Sequence, residues 1–320
     1  MKLLNEDQMQ AIEQARHHLT PTARATSPAL EEILYKPLPV LDRGFVRVVD
    51  YMGDDDAVVQ GARVSYGKGT KKVSGDRGLI RYLMRHRHTT PFELADIKLH
   101  VRAPVFVTRQ WFRHRTASIN EYSARYSVLE REFYVPRLQD IAVQSATNRQ
   151  GRGDAADEAM AAETIARLRQ DAAQCYDNYL WMLNEDESGT PMDADRPGVA
   201  RELARINLPV GVYTQFYWKV NLWNLLHFLQ LRVDAGAQYE IRVYAEAILG
   251  VVERWVPLVY EAFQDFMLHS ASFSGQQLQL IRKLLGGEET VAPGTFGVTG
   301  RELRELVDVL PEIRSRLTEP

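Results

Sequence analysis

The sequence predicts a mixed α+β fold in which a central antiparallel sheet is flanked by long helices. Three observations predict it. Two well-separated segments alternate with the period of a strand: Ile97, Leu99 and Val101 against Lys98, His100 and Arg102, then Val212, Thr214, Phe216, Trp218 and Val220 against Tyr213, Gln215, Tyr217 and Lys219. Helix-period stretches lie between and after them. The elements also lack the regular βαβ beat of a doubly wound sheet. With 320 residues, 45% of them hydrophobic and 25% charged, the chain can bury a large core and falls outside the collagen-like, low-complexity and disordered classes.

In chain order, an amphipathic helix is expected over 6–18, then a linker and a helix with Ser27 as cap and Pro28 at its first position. Residues 45–52 are rich in β-formers and end at Gly53 and three aspartates, which predicts a strand leading into a helix over 57–64. Ser74 is expected to cap a helix whose apolar stripe is Leu79, Ile80, Leu83 and Met84, and which runs out at His88-Thr89-Thr90-Pro91. The strand through Ile97 should bury one face and leave Lys98, His100 and Arg102 basic and wet. Helices follow over 104–114, 158–183 and 197–206, the first and last opened by proline. Asn221 caps a helix bearing Leu222, Leu225, Leu226 and Leu229, and a long helix starts near Gln238 with a break at Pro257. Residues 148–154 read as a surface loop, and 286–300 as a hinge before a charged terminal helix.

Charge is the first functional signal. Lys+Arg 39 against Asp+Glu 42 gives a net charge of -3, so no overall basic field draws the chain to nucleic acid or to a membrane surface. Residues 81–125 nevertheless hold nine Lys/Arg against three Asp/Glu. Like charges held together cost free energy that a bound anion recovers, so this window marks an anion site. On a helix over 104–114, Arg109 and Arg113 lie one turn apart, as do Gln110 and His114, and a phosphate fits there. Arg232 ends an otherwise apolar helix, where a charge is rare unless it is paired or binds something.

Two other readings of this window are weaker. A stacking platform for nucleic acid, made of Arg113, Arg115 and Arg125 with Tyr122, Tyr126 and Trp111, has too short a basic segment in an acidic chain. A metal-dependent hydrolase on His88, His114 and Glu93 lacks ligand spacing, and the surrounding arginines repel a cation, so no metal is expected. The single cysteine, Cys175, excludes an intramolecular disulfide framework and fits a reducing, cytoplasmic compartment. It lies on an amphipathic helix with no activating base nearby and reads as structural. The N-terminal run is too polar for a signal peptide, and no apolar stretch reaches a membrane span.

The run Arg113-His-Arg-Thr-Ala-Ser-Ile-Asn-Glu-Tyr-Ser123-Ala-Arg-Tyr126 resembles the signature of the flavin-dependent thymidylate synthases, Arg-His-Arg, seven residues, then Ser. Flanking segments resemble the same family, among them His88-Thr-Thr-Pro-Phe-Glu93, Ala204-Arg-Ile-Asn-Leu-Pro209 and Ala237-Gln-Tyr-Glu240. The resemblance implies reductive methylation of dUMP to dTMP, with 5,10-methylenetetrahydrofolate as carbon donor, NADPH as reductant and FAD as carrier. It also implies a homotetramer whose sites are shared between subunits. It divides the chain into a helical extension over 1–42, a catalytic domain over 43–270 and a C-terminal extension over 271–320.

By position, the resemblance assigns FAD to Arg113, His114 and Arg115, with Thr90, Glu121 and Asn221 touching it and His88 beside flavin and folate. It assigns dUMP to Gln110, Trp111, Phe112 and Arg113, to Glu121, Tyr122, Ser123, Ala124 and Arg125, and to Arg205. Arg232 is the implied catalytic residue, contacting the uracil and favouring ionisation at its N3. Where the family often has Asn-Ala-Arg, this chain has Asn221-Leu222-Trp223, and His227 replaces an Asn; contacts to the adenine or ribose of FAD are expected to pass to Trp223 and His227. Gly236 stands where a His is common.

Overall fold

The computed structural model describes residues 4–64, 73–146 and 151–318. Its centre is an antiparallel sheet of strands β1 (Leu38–Val40), β2 (Gly44–Met52), β3 (Asp96–Pro104) and β4 (Ser118–Glu121). A separate hairpin contributes β5 (Ala142–Gln144) and β6 (Arg152–Ala155), and β7 (Tyr213–Asn221) returns to the main sheet, whose order is β1-β2-β3-β7-β4. The expected α+β class and the pairing of the two alternating segments are both present. β3 and β7 run in register from Asp96 opposite Asn221 to Pro104 opposite Tyr213.

One face of this sheet is the core. Val46, Val48, Ile97, Leu99, Val101, Phe216, Trp218 and Val220 are all buried. The helices Leu222–Arg232 and Tyr239–Trp255 pack together over it. Trp111 sits at the centre of an aromatic cluster, with Phe216, Trp218 and Phe228 rings at 5.3, 5.3 and 4.8 Å and Tyr244 at 5.9 Å. Each such ring removes a large apolar area from water, so this cluster is the energetic anchor of the sheet and helix layers.

The opposite face of β3 is not wet as expected. His100 and Arg102 are 9% and 6% exposed. The guanidinium of Arg102 is paired with Glu130 at 2.6 Å and with Glu132, and it lies over the Tyr213 ring. His100 stacks on Tyr217 at 4.8 Å, accepts at Nδ1 from Arg47 and donates from Nε2 to Gln215. Burial, then the Arg47 charge, lowers its pKa to about 4, so the buried ring is neutral.

Other expectations also shift. The helix over 104–114 is shorter, Val105–Trp111, with Pro104 as N-cap and Arg113 to Arg115 in the turn beyond. The helix over 197–206 is reduced to Arg201–Ala204 and a 3₁₀ turn at Arg205–Asn207. Its first residues instead lie against the preceding helix, where Val199 N–H donates to Met182 O and a Cβ at Gly198 would fall 2.0 Å from the Leu183 carbonyl oxygen. Ser27 does not cap with its side chain: its hydroxyl donates to Arg254 O at 2.7 Å. The expected loop over 148–154 runs into β6, which begins at Arg152, and residues 147–150 lie outside the described set, as does the Ser74 side chain.

The long helices match closely, at Glu158–Leu183 and Tyr239–Trp255 with Pro257 starting the next. The chain divides into two compact units, Met1–Phe263 and Gln264–Pro320. Within the first, the N-terminal helix Glu6–His17 packs Ile12 and the preceding Leu4 on Phe45, so the first forty residues belong to it. Within the second, Leu280, Leu284, Val291, Val298 and Leu306 form a core of their own. The stretch expected to be a hinge there supplies Val291, Pro293 and Val298 to the interior.

Candidate functional site

A cavity of about 770 Å³ opens where three chain segments meet. The helix Val105–Trp111 supplies Arg109 and Gln110, and the turn after it supplies Arg113, His114 and Arg115. The third segment begins at Asn221, whose side-chain oxygen accepts from Asn224 N–H at 2.9 Å and starts the helix Leu222–Arg232 directly from the end of β7. Helical spacing then lines up Asn224, His227 and Leu231 along one face toward the cavity, with Arg232 beside them. Trp218 of β7 forms part of the wall.

Arg232 and His114 are joined. Arg232 Nε donates to His114 Nε2 at 3.1 Å, and another guanidinium nitrogen donates to Gln110 O at 3.3 Å. Burial lowers the Arg232 pKa from its ordinary value, and the Arg113 charge adds to this. Burial also brings His114 down to about 4, helped by the charges of Arg232 and His227. The imidazole is therefore neutral at pH 7 and accepts at Nε2.

Part of the basic window is neutralised and part of it faces the cavity. Arg81, Lys98 and Arg102 are paired with Glu261, Asp50 and the two glutamates. Arg109, Arg113 and Arg115 line the cavity without a carboxylate partner among the described residues. Three guanidinium groups converging on a concave space favour an anion, because each can fork onto phosphate oxygens.

The structure brings Gln110, Arg113, His114, Arg115, His227 and Arg232 together in this cavity. Others of the implied site residues lie elsewhere in the chain. Glu121 ends β4 and accepts from the Thr214 hydroxyl at 3.0 Å. Tyr122 donates from its backbone N–H to Gln215 O, Ser123 Oγ accepts from Arg125 N–H, and Arg125 approaches Glu202 at 3.9 Å. Arg205 is exposed in the 3₁₀ turn. His88 and Thr90 line a second cavity of about 520 Å³ together with Leu94 and Gly61, and the His88 ring lies 5.8 Å from the Tyr82 ring. Asn221 spends its side-chain oxygen as a helix cap, and Trp223 packs on Phe92.

The Trp111 side chain is wholly buried in the aromatic core. Phe112 is half-buried with its ring edge-on to Phe216, and Ala124 is buried. Sequence reasoning missed Asn224 and Leu231 as lining residues, although their spacing from His227 along one helix is the signal that finds them. Cys175 is half-buried on the helix Glu158–Leu183 and does not line the cavity. Among the described residues, no three His, Cys, Asp or Glu side chains gather as for a metal ion, and no helix is long and apolar enough to cross a membrane.

Comparison with known proteins decides the family. The family profile described as "Thymidylate synthase complementing protein" matches residues 47–258. A flavin-dependent thymidylate synthase of Ruegeria pomeroyi is 54% identical over 307 residues, covering 96% of this chain and 99% of the relative. The chain belongs to the flavin-dependent thymidylate synthase family. A second relative of that name, from Rickettsia conorii, is 56% identical over 289 residues, 90% of this chain and 98% of its own. Among solved structures, a UMP/dUMP methylase, PolB from Streptomyces cacaoi, bound with 5-Br UMP, superposes with a TM-score of 0.62 at 34% identity, covering 71% of this chain and 96% of that one. The arginine cavity lies wholly within the span that the family profile matches.

Proposed function

We propose that the protein methylates dUMP to dTMP, taking the carbon from 5,10-methylenetetrahydrofolate and the reducing equivalents from NADPH through FAD. The observation that carries this reading is the cavity: three arginines without carboxylate partners around a neutral imidazole and a partly desolvated Arg232. That donor set suits an anionic dinucleotide and a nucleotide monophosphate. Arg113, His114 and Arg115 would hold FAD, and His227 would lie against it. FAD, when bound, supplies redox chemistry that no side chain offers.

The chain's own residues do the rest. Gln110, Arg113 and Arg232 hold the nucleotide. Arg232 stays cationic, and in a site of low dielectric its charge stabilises a pyrimidine that has lost its N3 proton, which enriches C5 for attack on the methylene carbon. Cys175 has no part in this reading, since it is not among the residues that line the cavity. Glu121, Tyr122, Ser123, Arg125 and Arg205 lie outside this cavity. That separation supports a homotetramer in which one subunit's Ser123 segment completes another's Arg232 cavity, with His88 and Thr90 reaching flavin and folate. The setting is cytoplasmic, without nucleic acid or membrane, and the catalytic machinery falls within 43–270.

The experiment is a spectrum and an assay. Purified protein should show bound flavin absorbance, lose it on anaerobic addition of NADPH, and form dTMP only when dUMP and methylenetetrahydrofolate are both present. Protein that takes up no added FAD, or forms no dTMP when loaded, overturns the reading.

A further inference from the structure

The residues over 138–171 have no part in the function proposed above, yet the hairpin within them is tied to the cavity. Glu240, in the first turn of the helix Tyr239–Trp255, is 3% exposed and receives three donors. Tyr134 donates its hydroxyl at 3.1 Å, Gln238 its side-chain amide at 2.8 Å, and Arg152 of β6 its guanidinium. Arg152 also lies over the Tyr239 ring at 5.2 Å and donates to Asp140 O. On its other side Gln238 accepts, through its carbonyl oxygen, from the amide of Gln110.

This arrangement has a direction. A carboxylate with Arg152 as counter-charge can only accept, so Gln238 must turn its NH2 toward it. Its carbonyl oxygen then faces Gln110 and takes that residue's NH2. The side-chain carbonyl oxygen of Gln110, a residue that lines the cavity, is then left without a protein donor among the described residues. We infer that Glu240, clamped by Arg152 of the hairpin, is a positioning residue that fixes Gln110 as an acceptor for an N–H or O–H donor of the bound nucleotide. The inference rests on the proposed dUMP reading, because the donor it fixes belongs to that ligand.

Calorimetric titration of dUMP into the FAD-loaded enzyme tests it, with wild type, Glu240→Gln, Gln110→Leu and the double variant. A neutral amide at 240 no longer dictates the orientation of Gln238, so Glu240→Gln should weaken dUMP by about threefold to tenfold, one neutral hydrogen bond, at unchanged flavin content. The same change in the Gln110→Leu background should have no further effect, because the two act as one unit. Equal losses in both backgrounds, or no loss in either, overturn the inference. Should Glu240→Gln not fold, Arg152→Ala on the exposed hairpin carries the test: it should show the same weakening and Arg152→Lys should recover most of it. Wild-type affinity in Arg152→Ala removes the hairpin from the account. A wild type that binds no dUMP refutes the proposed function itself, and the first titration separates that result from the others.

Discussion

Arg232 Nε and His114 Nε2 lie 3.1 Å apart, with the guanidinium donating and the imidazole accepting across 118 residues of chain. The bond assigns the His114 proton to Nδ1 and holds the arginine plane against Gln110 O. A cation and a neutral ring, both partly desolvated, thus form one rigid pair at the wall of the cavity.

His114 should titrate near 4 rather than at its ordinary 6.5, since burial and then the Arg232 and His227 charges hold it neutral. Nitrogen-15 NMR of labelled histidine checks this. Arg232→Gln should raise the midpoint part of the way back, burial being the larger cause and remaining in place. A midpoint unmoved by that change would mean the pairing does not bear on the ring's charge.

Stability should fall as the medium is acidified from about 6.5 toward 4. His100 and His114 both have folded-state pKa values lowered to about 4, so the unfolded chain binds their protons first and their contribution is lost over that window. Asp55 opposes them: burial raises its pKa to about 6 although it accepts from Leu258 and Val259 N–H, and its contribution is lost as pH rises through that value. Urea unfolding of His100→Gln across this range should show a shallower acid slope and a lower stability at neutral pH. An unchanged slope would exonerate His100.

How much of this was readable from the sequence depends on the separation of the partners. The pairing of β3 with β7 was readable because period-two alternation is local to each strand. The burial of Arg102 was not, because its neutralising Glu130 and Glu132 arrive from a segment 28 and 30 residues away. The helix expected over 197–206 failed on a close backbone approach at Gly198, which propensity does not register. The concentration of arginine was visible as composition. That Arg109, Arg113 and Arg115 would converge with the distant Arg232, while Arg102 turned to a carboxylate pair, is a property of the fold.

Trp111→Ala should cost about 3 to 5 kcal/mol of stability by chemical denaturation, as expected for emptying a wholly buried aromatic site. Trp111→Phe should keep most of the flavin-binding capacity. A specific loss of dUMP affinity in a Trp111 variant of normal stability would show that the ring reaches the ligand after all.

Arg232→Ala should abolish turnover while leaving flavin bound, whereas Arg113→Ala should lose both, since Arg113 is assigned to FAD as well as to the nucleotide in the cavity it lines. Flavin content by absorbance, read beside dTMP formation, distinguishes the two. Equal loss of flavin from both variants would remove the distinct role given to Arg232.

Cys175→Ala should leave dTMP formation within about twofold of wild type, because the thiol is on the helix Glu158–Leu183 and is not among the residues that line the cavity. A folded, flavin-loaded but inactive variant would give the thiol a part in the reaction.

β7 ends at Asn221 and the helix carrying Arg232 begins at Leu222, with no connecting loop to absorb a change in length. The 11-residue helix is a strut about 16 Å long whose tip is aimed by the sheet itself. One residue gained or lost within it would swing Arg232 by about 100° away from His114, and one within β7 would turn core side chains to the other face. Natural length variation should therefore be purged between Tyr213 and Arg232.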